Sequence, residues 1–187
     1  MAAEARRDAM LDAAQALVLK HGVRGTSMEA IARRAGVAKP TLYAYFPDKD
    51  AVFAALLERL IGAWRAEFRG ALAGEGDAVQ RIAAAMTLKH KAVWRLLESS
   101  PHADELYEEH DRGWASQFAA LETELVALVE AELAAAGVMR ARMMAQLFFA
   151  AGYGIGRRAQ SVAELGPAFR LLTERLLRPE LPQASAQ

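Results

Sequence analysis

The chain has 187 residues, of which 53% are hydrophobic and 25% charged, a composition typical of a soluble protein with a buried core. It contains no cysteine, which excludes disulfides and thiolate metal sites, and we expect a cytoplasmic location. The formal net charge is +0, so any affinity for nucleic acid must come from a few well-placed groups.

No uncharged apolar run approaches the roughly 20 residues that span a bilayer. The first residues carry Glu4 and Asp8 and lack the apolar core of a signal peptide. We therefore expect neither a membrane segment nor a leader. Residues 1–50 carry a net charge of +2, which leaves −2 for the remainder.

The first predicted helix covers about residues 6–21, where apolar side chains recur at helical spacing. Gly22 is predicted to end it. A second helix is predicted to begin with Thr26 as its N-cap and Glu29 in a capping box, and to end at Gly36. Its inward face comprises Ile31, Ala32 and Ala35.

A third, very short helix follows, with Pro40 in its first turn and Pro47 just after its end. Leu42 and Phe46 are four residues apart and are predicted to point inward. The other faces carry basic, hydroxyl and phenol groups: Lys39, Thr41, Tyr43 and Tyr45. Two short helices joined by a glycine turn are the helix-turn-helix pattern, which places its second helix in the DNA major groove.

The run from Ala35 to Lys49, AGVAKPTLYAYFPDK, resembles the motif of the TetR family of bacterial transcriptional regulators. Residues 26–32, TSMEAIA, are similar to the first motif helix of the same family. The resemblance covers roughly the first 60 residues. It implies DNA contacts by Lys39, Pro40, Thr41 and Tyr43 at base edges, and by Thr26, Ser27, Tyr45 and Lys49 at phosphates.

A long helix is predicted from Asp48, its N-cap, to about Leu72, with an apolar stripe that connects two parts of the chain. We expect a helix-turn-helix domain over residues 1–50 and a helical domain over 51–187, with Gly70, Gly74 and Gly76 at the boundary. Everything after Asp77 is predicted to be helical. The fold class is therefore all-α.

The last two predicted helices, about 140–158 and 167–178, are apolar or small on more than one face, which indicates burial on two sides. We predict that they form an isologous four-helix dimer interface, as the resemblance also implies; a buried monomer core is the alternative. The interface residues are predicted to be Met144, Phe148, Ala151, Ile155, Phe169, Leu172 and Leu176.

The resemblance also implies a cavity for a small-molecule effector in the second domain. Its predicted lining is apolar, with His90 and Tyr153 as polar groups, and suits a hydrophobic ligand. The predicted lining residues are Trp64, Phe68, Met86, His90, Trp94, Trp114, Phe118, Phe148 and Tyr153.

Other chemistry has weaker support in the sequence. His102 and His110 lie eight residues apart in an acidic segment that ends at Asp111, unlike the paired histidines of a helical zinc site, so a solvated helix is favoured over a metal site or a metal-dependent enzyme. We expect no cofactor and no enzyme activity. The predicted function is a dimeric repressor that binds a pseudo-palindromic operator and is released by an effector; the alternative is a helical ligand-binding or scaffold protein whose helix-turn-helix does not read DNA.

Overall fold

A computed structural model of the protein describes residues 2–98, 100–106 and 115–182. These residues form helices and connecting turns with no strand among them, which confirms the all-α prediction. The helices are α1 (Ala2–His21), α2 (Met28–Arg34), α3 (Lys39–Tyr45), α4 (Lys49–Leu72), α5 (Ala78–Leu97), α6 (Ala115–Ala135), α7 (Ala141–Arg158) and α8 (Val162–Leu176), followed by a 3₁₀ turn at Arg178–Glu180.

The chain divides into two compact units. Unit 1 comprises Met1–Gly62 and Leu96–Ser116, and unit 2 comprises Ala63–Arg95 and Gln117–Gln187. The three boundaries between the units fall inside α4, α5 and α6, each of which is continuous. The expected division into residues 1–50 and 51–187 stays a prediction.

The core of unit 1 is built from α1, α2, α3 and the beginning of α4. Local signals explain most of its turns: Gly22 and Gly36 adopt φ values of +72° and +68° after α1 and α2, as predicted. Asp48 caps α4, because its Oδ1 accepts a hydrogen bond of 2.8 Å from the backbone N–H of Ala51. The buried apolar residues of this core are Met10, Leu11, Ala13, Ala14, Val18, Met28, Ile31, Ala32, Leu42, Phe46, Val52, Phe53, Ala55, Leu56 and Leu106.

Two predicted helix starts were wrong. The N-cap of α2 is Ser27, whose Oγ accepts a hydrogen bond of 3.2 Å from Ala30 N, whereas Thr26 is buried and donates its hydroxyl to Gly22 O at 2.8 Å. The last helix begins at Val162 and so contains Pro167, which was predicted to start it. Buried Leu165, just before that proline, gives this extra turn its packing.

Unit 2 has an aromatic centre in which α7 and α8 pack closely. Phe148 and Phe169 are fully buried with their ring centroids 6.5 Å apart. Gly152 lies beside this pair, where an added Cβ atom would be 2.8 Å from Met86 Cε and 3.2 Å from Phe169 Cε1. The glycine is therefore required by packing.

Gly152→Ala is expected to lower the free energy of unfolding by about 0.5–2 kcal/mol, because displacing Met86 and Phe169 costs about 1–3 kcal/mol and better helix propensity offsets only part of that cost. The matched control is Gly70→Ala in α4, where an added Cβ atom meets nothing within 4 Å. That change is expected to stabilise the protein by about 0.5–1 kcal/mol through helix propensity. Urea unfolding measures both, and a stable Gly152→Ala protein would contradict the close packing.

Candidate nucleic-acid interface

Backbone hydrogen bonds made by Gly36 and Val37 fix the turn between α2 and α3. Val37 N donates to Ala32 O at 3.0 Å, which turns the chain out of α2. Ala38, the N-cap of α3, has no side-chain cap, and Pro40 occupies the first turn, where the missing N–H costs nothing. The seven residues of α3 are thereby placed directly against α2.

The two faces of α3 differ as the sequence predicted. Leu42 and Phe46, the residue that ends the helix, are buried with exposed fractions of 0% and 3%. Lys39 and Pro40 are exposed, and so is Tyr43, at 41%. The helix thus presents a cation, a ring and a phenol to solvent while its other side anchors it.

Three residues with predicted DNA contacts are held by their own domain. Thr26 is 3% exposed and its hydroxyl is bonded to Gly22 O, so its side chain does not reach a phosphate, which corrects that prediction. Tyr45 is half-buried with its ring 6.5 Å from that of Phe46. Lys49 Nζ donates to Val23 O at 3.2 Å.

The exposed lysine of α3 has an intramolecular partner that the sequence did not reveal. Lys39 and Glu29, which is exposed on α2, form an ion pair, and Lys39 Nζ lies 5.7 Å from the centre of the Tyr43 ring. The hydrogen bond from Lys39 lowers the pKa of Glu29, and the same bond raises the pKa of Lys39. Glu29 of α2 therefore pairs with Lys39 of α3. It does not serve in a capping box.

A segment predicted to belong to the second domain completes unit 1. Ser100 Oγ donates to Leu19 O at 2.7 Å, and Glu105 Oε1 accepts a bond of 3.4 Å from Arg24 N. Leu106 is buried in the core beside α1. Residues 100–106 therefore pack on the end of the first helix, a long-range contact without a local sequence signal.

The residues predicted to line the effector cavity differ in how far they are buried. Trp64, Phe68, Met86 and Phe148 are buried, whereas His90, Trp94 and Phe118 are half-buried. Tyr153 is 52% exposed, and neighbouring Gly152 is the buried residue of that turn, so the role of Tyr153 as a polar group of the cavity stays a prediction. Trp114 lies outside the described residues.

His90 is a neutral imidazole within unit 2. Its Nδ1 lies 2.9 Å from Met86 O, so the proton is on Nδ1, and its ring centroid is 4.6 Å from that of Phe169. Burial, together with the neighbouring charge of Lys89, lowers the pKa of His90 from 6.5 to about 3. The ring stays uncharged throughout the physiological pH range.

The predicted dimer interface needs correction. Met144, Phe148 and Phe169 are buried inside their own chain, and so cannot lie on its surface. Ala151 is exposed, and Ile155, Leu172 and Leu176 are half-buried. The apolar side chains that α7 and α8 expose are Met143 at 44%, Leu147 at 49% and Leu171 at 61%.

Within residues 2–98, 100–106 and 115–182, three or more His, Asp or Glu side chains do not converge as a metal site would require. His102 Nδ1 lies 3.3 Å from Glu105 Oε2, a single pair. His110 and Asp111, at the end of the acidic segment, lie outside the described residues. Among the helices described, none has the length and apolar character of a bilayer span.

Comparison with known proteins agrees with the motif. Residues 10–56 match the model of the bacterial regulatory proteins of the tetR family. The HTH-type transcriptional repressor ComR of Escherichia coli K12 is 38% identical over 74 residues, which cover 40% of this chain and 35% of ComR. The chain thus spans about a third of the length of this curated relative.

Solved structures resemble nearly the whole chain in fold. A TetR-like regulator from Rhodococcus sp. RHA1 has a TM-score of 0.71 at 22% identity, covering 92% of this chain and 96% of its own. The SmeT–triclosan complex has a TM-score of 0.72 at 24% identity, covering 98% and 95%. The protein is an all-helical chain with an N-terminal helix-turn-helix. That helix-turn-helix, over residues 10–56, matches the tetR family of bacterial regulatory proteins.

The lowered pKa of His90 predicts a pH dependence of stability. Between pH 6.5 and 3 the unfolded chain binds a proton at His90 that the folded chain does not, so stability falls as the pH falls below 6.5. His90→Asn keeps a donor for Met86 O but does not titrate. From pH 7 to pH 5, the wild type is expected to lose about 1–2 kcal/mol more than the variant.

Urea unfolding at both pH values measures this difference. Above about pH 5 carboxylates with ordinary or lowered pKa values stay ionised, so they add little to the change. Equal losses in the two proteins would contradict a neutral His90 with a lowered pKa.

Proposed function

We propose that the protein is a transcriptional repressor that binds a pseudo-palindromic operator as a dimer. The observation that carries this proposal is the exposure of Lys39, Pro40 and Tyr43 on a helix whose other side is locked by Leu42 and Phe46. A rigid helix with polar and aromatic side chains facing solvent suits insertion into a major groove. A cytoplasmic location, where such DNA is accessible, belongs to the same proposal.

The exposed groups have the chemistry to distinguish bases. A lysine donates to guanine O6 and N7, and the apolar surfaces of Pro40 and Thr41 suit contact with a thymine methyl group. Tyr43 has a phenol for a base edge or a phosphate oxygen. We propose that the DNA phosphates lie near Ser27, Tyr45 and Lys49. Tyr45 and Lys49 are expected to make fewer contacts than fully exposed side chains would, because both are partly held by their own domain.

Dimerisation supports this proposal because one subunit offers few cations. The net charge of residues 1–50 is only +2, so two copies are needed to give specific affinity. We place the interface on the outer face of α7 and α8, around exposed Met143, Leu147 and Leu171. Met143 and Leu147 lie one turn apart on α7, and neighbouring exposed apolar side chains are typical of a surface that a partner covers.

We further propose that a hydrophobic small molecule bound in unit 2 releases the operator, as binding of triclosan by the structural neighbour SmeT suggests. Neutral His90 is the polar group proposed to contact it. α4 runs without a break across the unit boundary, and α5 leads to Ser100, which is bonded to Leu19. A ligand that shifts either helix in unit 2 can change the spacing of the two α3 helices.

Lys39→Ala/Tyr43→Ala is expected to weaken operator binding by at least a hundred-fold, because each lost contact costs about 1–3 kcal/mol in each subunit. The operator is first obtained by selecting bound fragments of genomic DNA, and affinity is measured by fluorescence anisotropy. The control, Arg95→Ala, removes an exposed basic side chain from α5 and should leave the affinity unchanged.

Two outcomes would contradict the proposal. Failure of the wild type to select any DNA would favour a ligand-binding or scaffold protein whose helix-turn-helix does not read DNA. Equal operator affinity with and without every hydrophobic compound that binds would contradict release by an effector.

Leu147→Glu/Leu171→Glu is expected to convert the dimer into a monomer of 20.3 kDa, because carboxylates would be buried in an apolar contact. Light scattering coupled to gel filtration measures the mass. Leu88→Glu is the control, since Leu88 is 43% exposed on α5. An interface elsewhere is indicated if the α7/α8 variant stays dimeric.

A further inference from the structure

Glu29 and Lys39 share one exposed surface although ten residues separate them in the sequence. Their side chains form an ion pair and remain 56% and 53% exposed. The Lys39 ammonium also lies 5.7 Å from the centre of the Tyr43 ring. Lys39, which is proposed to contact DNA, therefore already interacts with two side chains of its own chain. One of them, Glu29, is negatively charged.

We propose that Glu29 is a specificity-determining residue that competes with DNA phosphates for the ammonium group of Lys39. This inference rests on the proposed DNA-binding function. A phosphate that takes Lys39 must approach a second negative charge on Glu29, and the repulsion opposes binding. A guanine edge offers O6 and N7 as acceptors without a net charge, so it shares Lys39 with Glu29 at little repulsive cost.

The exposure of the pair makes such competition possible. An ion pair in solvent is weak and exchanges readily, so Glu29 reduces phosphate binding without blocking Lys39. A glutamate carboxylate is charged at neutral pH, and the bond from Lys39 lowers the pKa of Glu29 further. Glu29 therefore weakens sequence-independent binding to phosphates more than it weakens binding to the operator.

The test uses the full chain and four variants: Glu29→Gln, Lys39→Ala, the double variant of these two, and Glu58→Gln. The last makes the same charge change at an exposed position on α4. Fluorescence anisotropy measures binding to a random-sequence duplex and to a duplex that carries the selected operator, over a range of salt concentrations. Circular dichroism verifies that each variant is folded.

Glu29→Gln is expected to tighten binding to the random duplex by roughly ten-fold, and binding to the operator by much less. The slope of log K against log salt on the random duplex should become steeper by about 0.9 for each subunit, because Lys39 then neutralises a phosphate. In the Lys39→Ala background the Glu29 change should have no effect, and Glu58→Gln should match the wild type.

An equal gain on both duplexes, a gain that persists without Lys39, or an equal gain from Glu58→Gln would overturn the competition. So would a specific loss of operator affinity in Glu29→Gln, which would make Glu29 a direct reader of a base. If neither the wild type nor Glu29→Gln binds any DNA, the proposed function itself fails, and this inference fails with it.

Discussion

The structure of the candidate interface depends on the burial of Leu42 and Phe46, the two anchors of α3. A helix of seven residues has too few hydrogen bonds to repay the cost of its own nucleation. Burial in the core of unit 1 repays that cost, and the Arg7 guanidinium lies 5.5 Å from the centre of the Phe46 ring. The direction in which Lys39 and Tyr43 face is therefore fixed by hydrophobic packing on the opposite side.

This arrangement sets the electrostatics of the surface. Of the two lysines near α3, Lys39 is paired with Glu29 and Lys49 is bonded to Val23 O. A surface whose lysines already have partners binds a uniform line of phosphates weakly. Affinity for phosphates alone is therefore expected to be low, which agrees with a chain whose net charge is zero.

The sequence was sufficient for features whose causes are local. Gly22, Gly36 and Asp48 were placed correctly because a left-handed backbone or a capping carboxylate depends on the next few residues only. The same kind of signal would have located α8: Glu164 accepts bonds from Ser161 Oγ at 3.2 Å and from Gln160 N at 3.1 Å. Pro167 predicts a later start, but the helix begins directly after Ser161, the first residue of this Ser-x-x-Glu pattern.

Features that depend on long-range packing could not be predicted from the sequence. Both faces of α7 and α8 are apolar, so nothing local showed that Phe148 and Phe169 would turn inward while Leu147 and Leu171 turned outward. The pairing of Glu29 with Lys39 could not be predicted for the same reason.

The residues that match the tetR family, 10–56, end well before Leu106, which helps to fill the core of unit 1. The module visible in the sequence is therefore smaller than the unit that folds, and the segment that completes it follows α5, a helix built largely from unit 2. A change at the end of that helix is therefore expected to affect the packing of unit 1, through Ser100 on Leu19 and through Leu106 in the core.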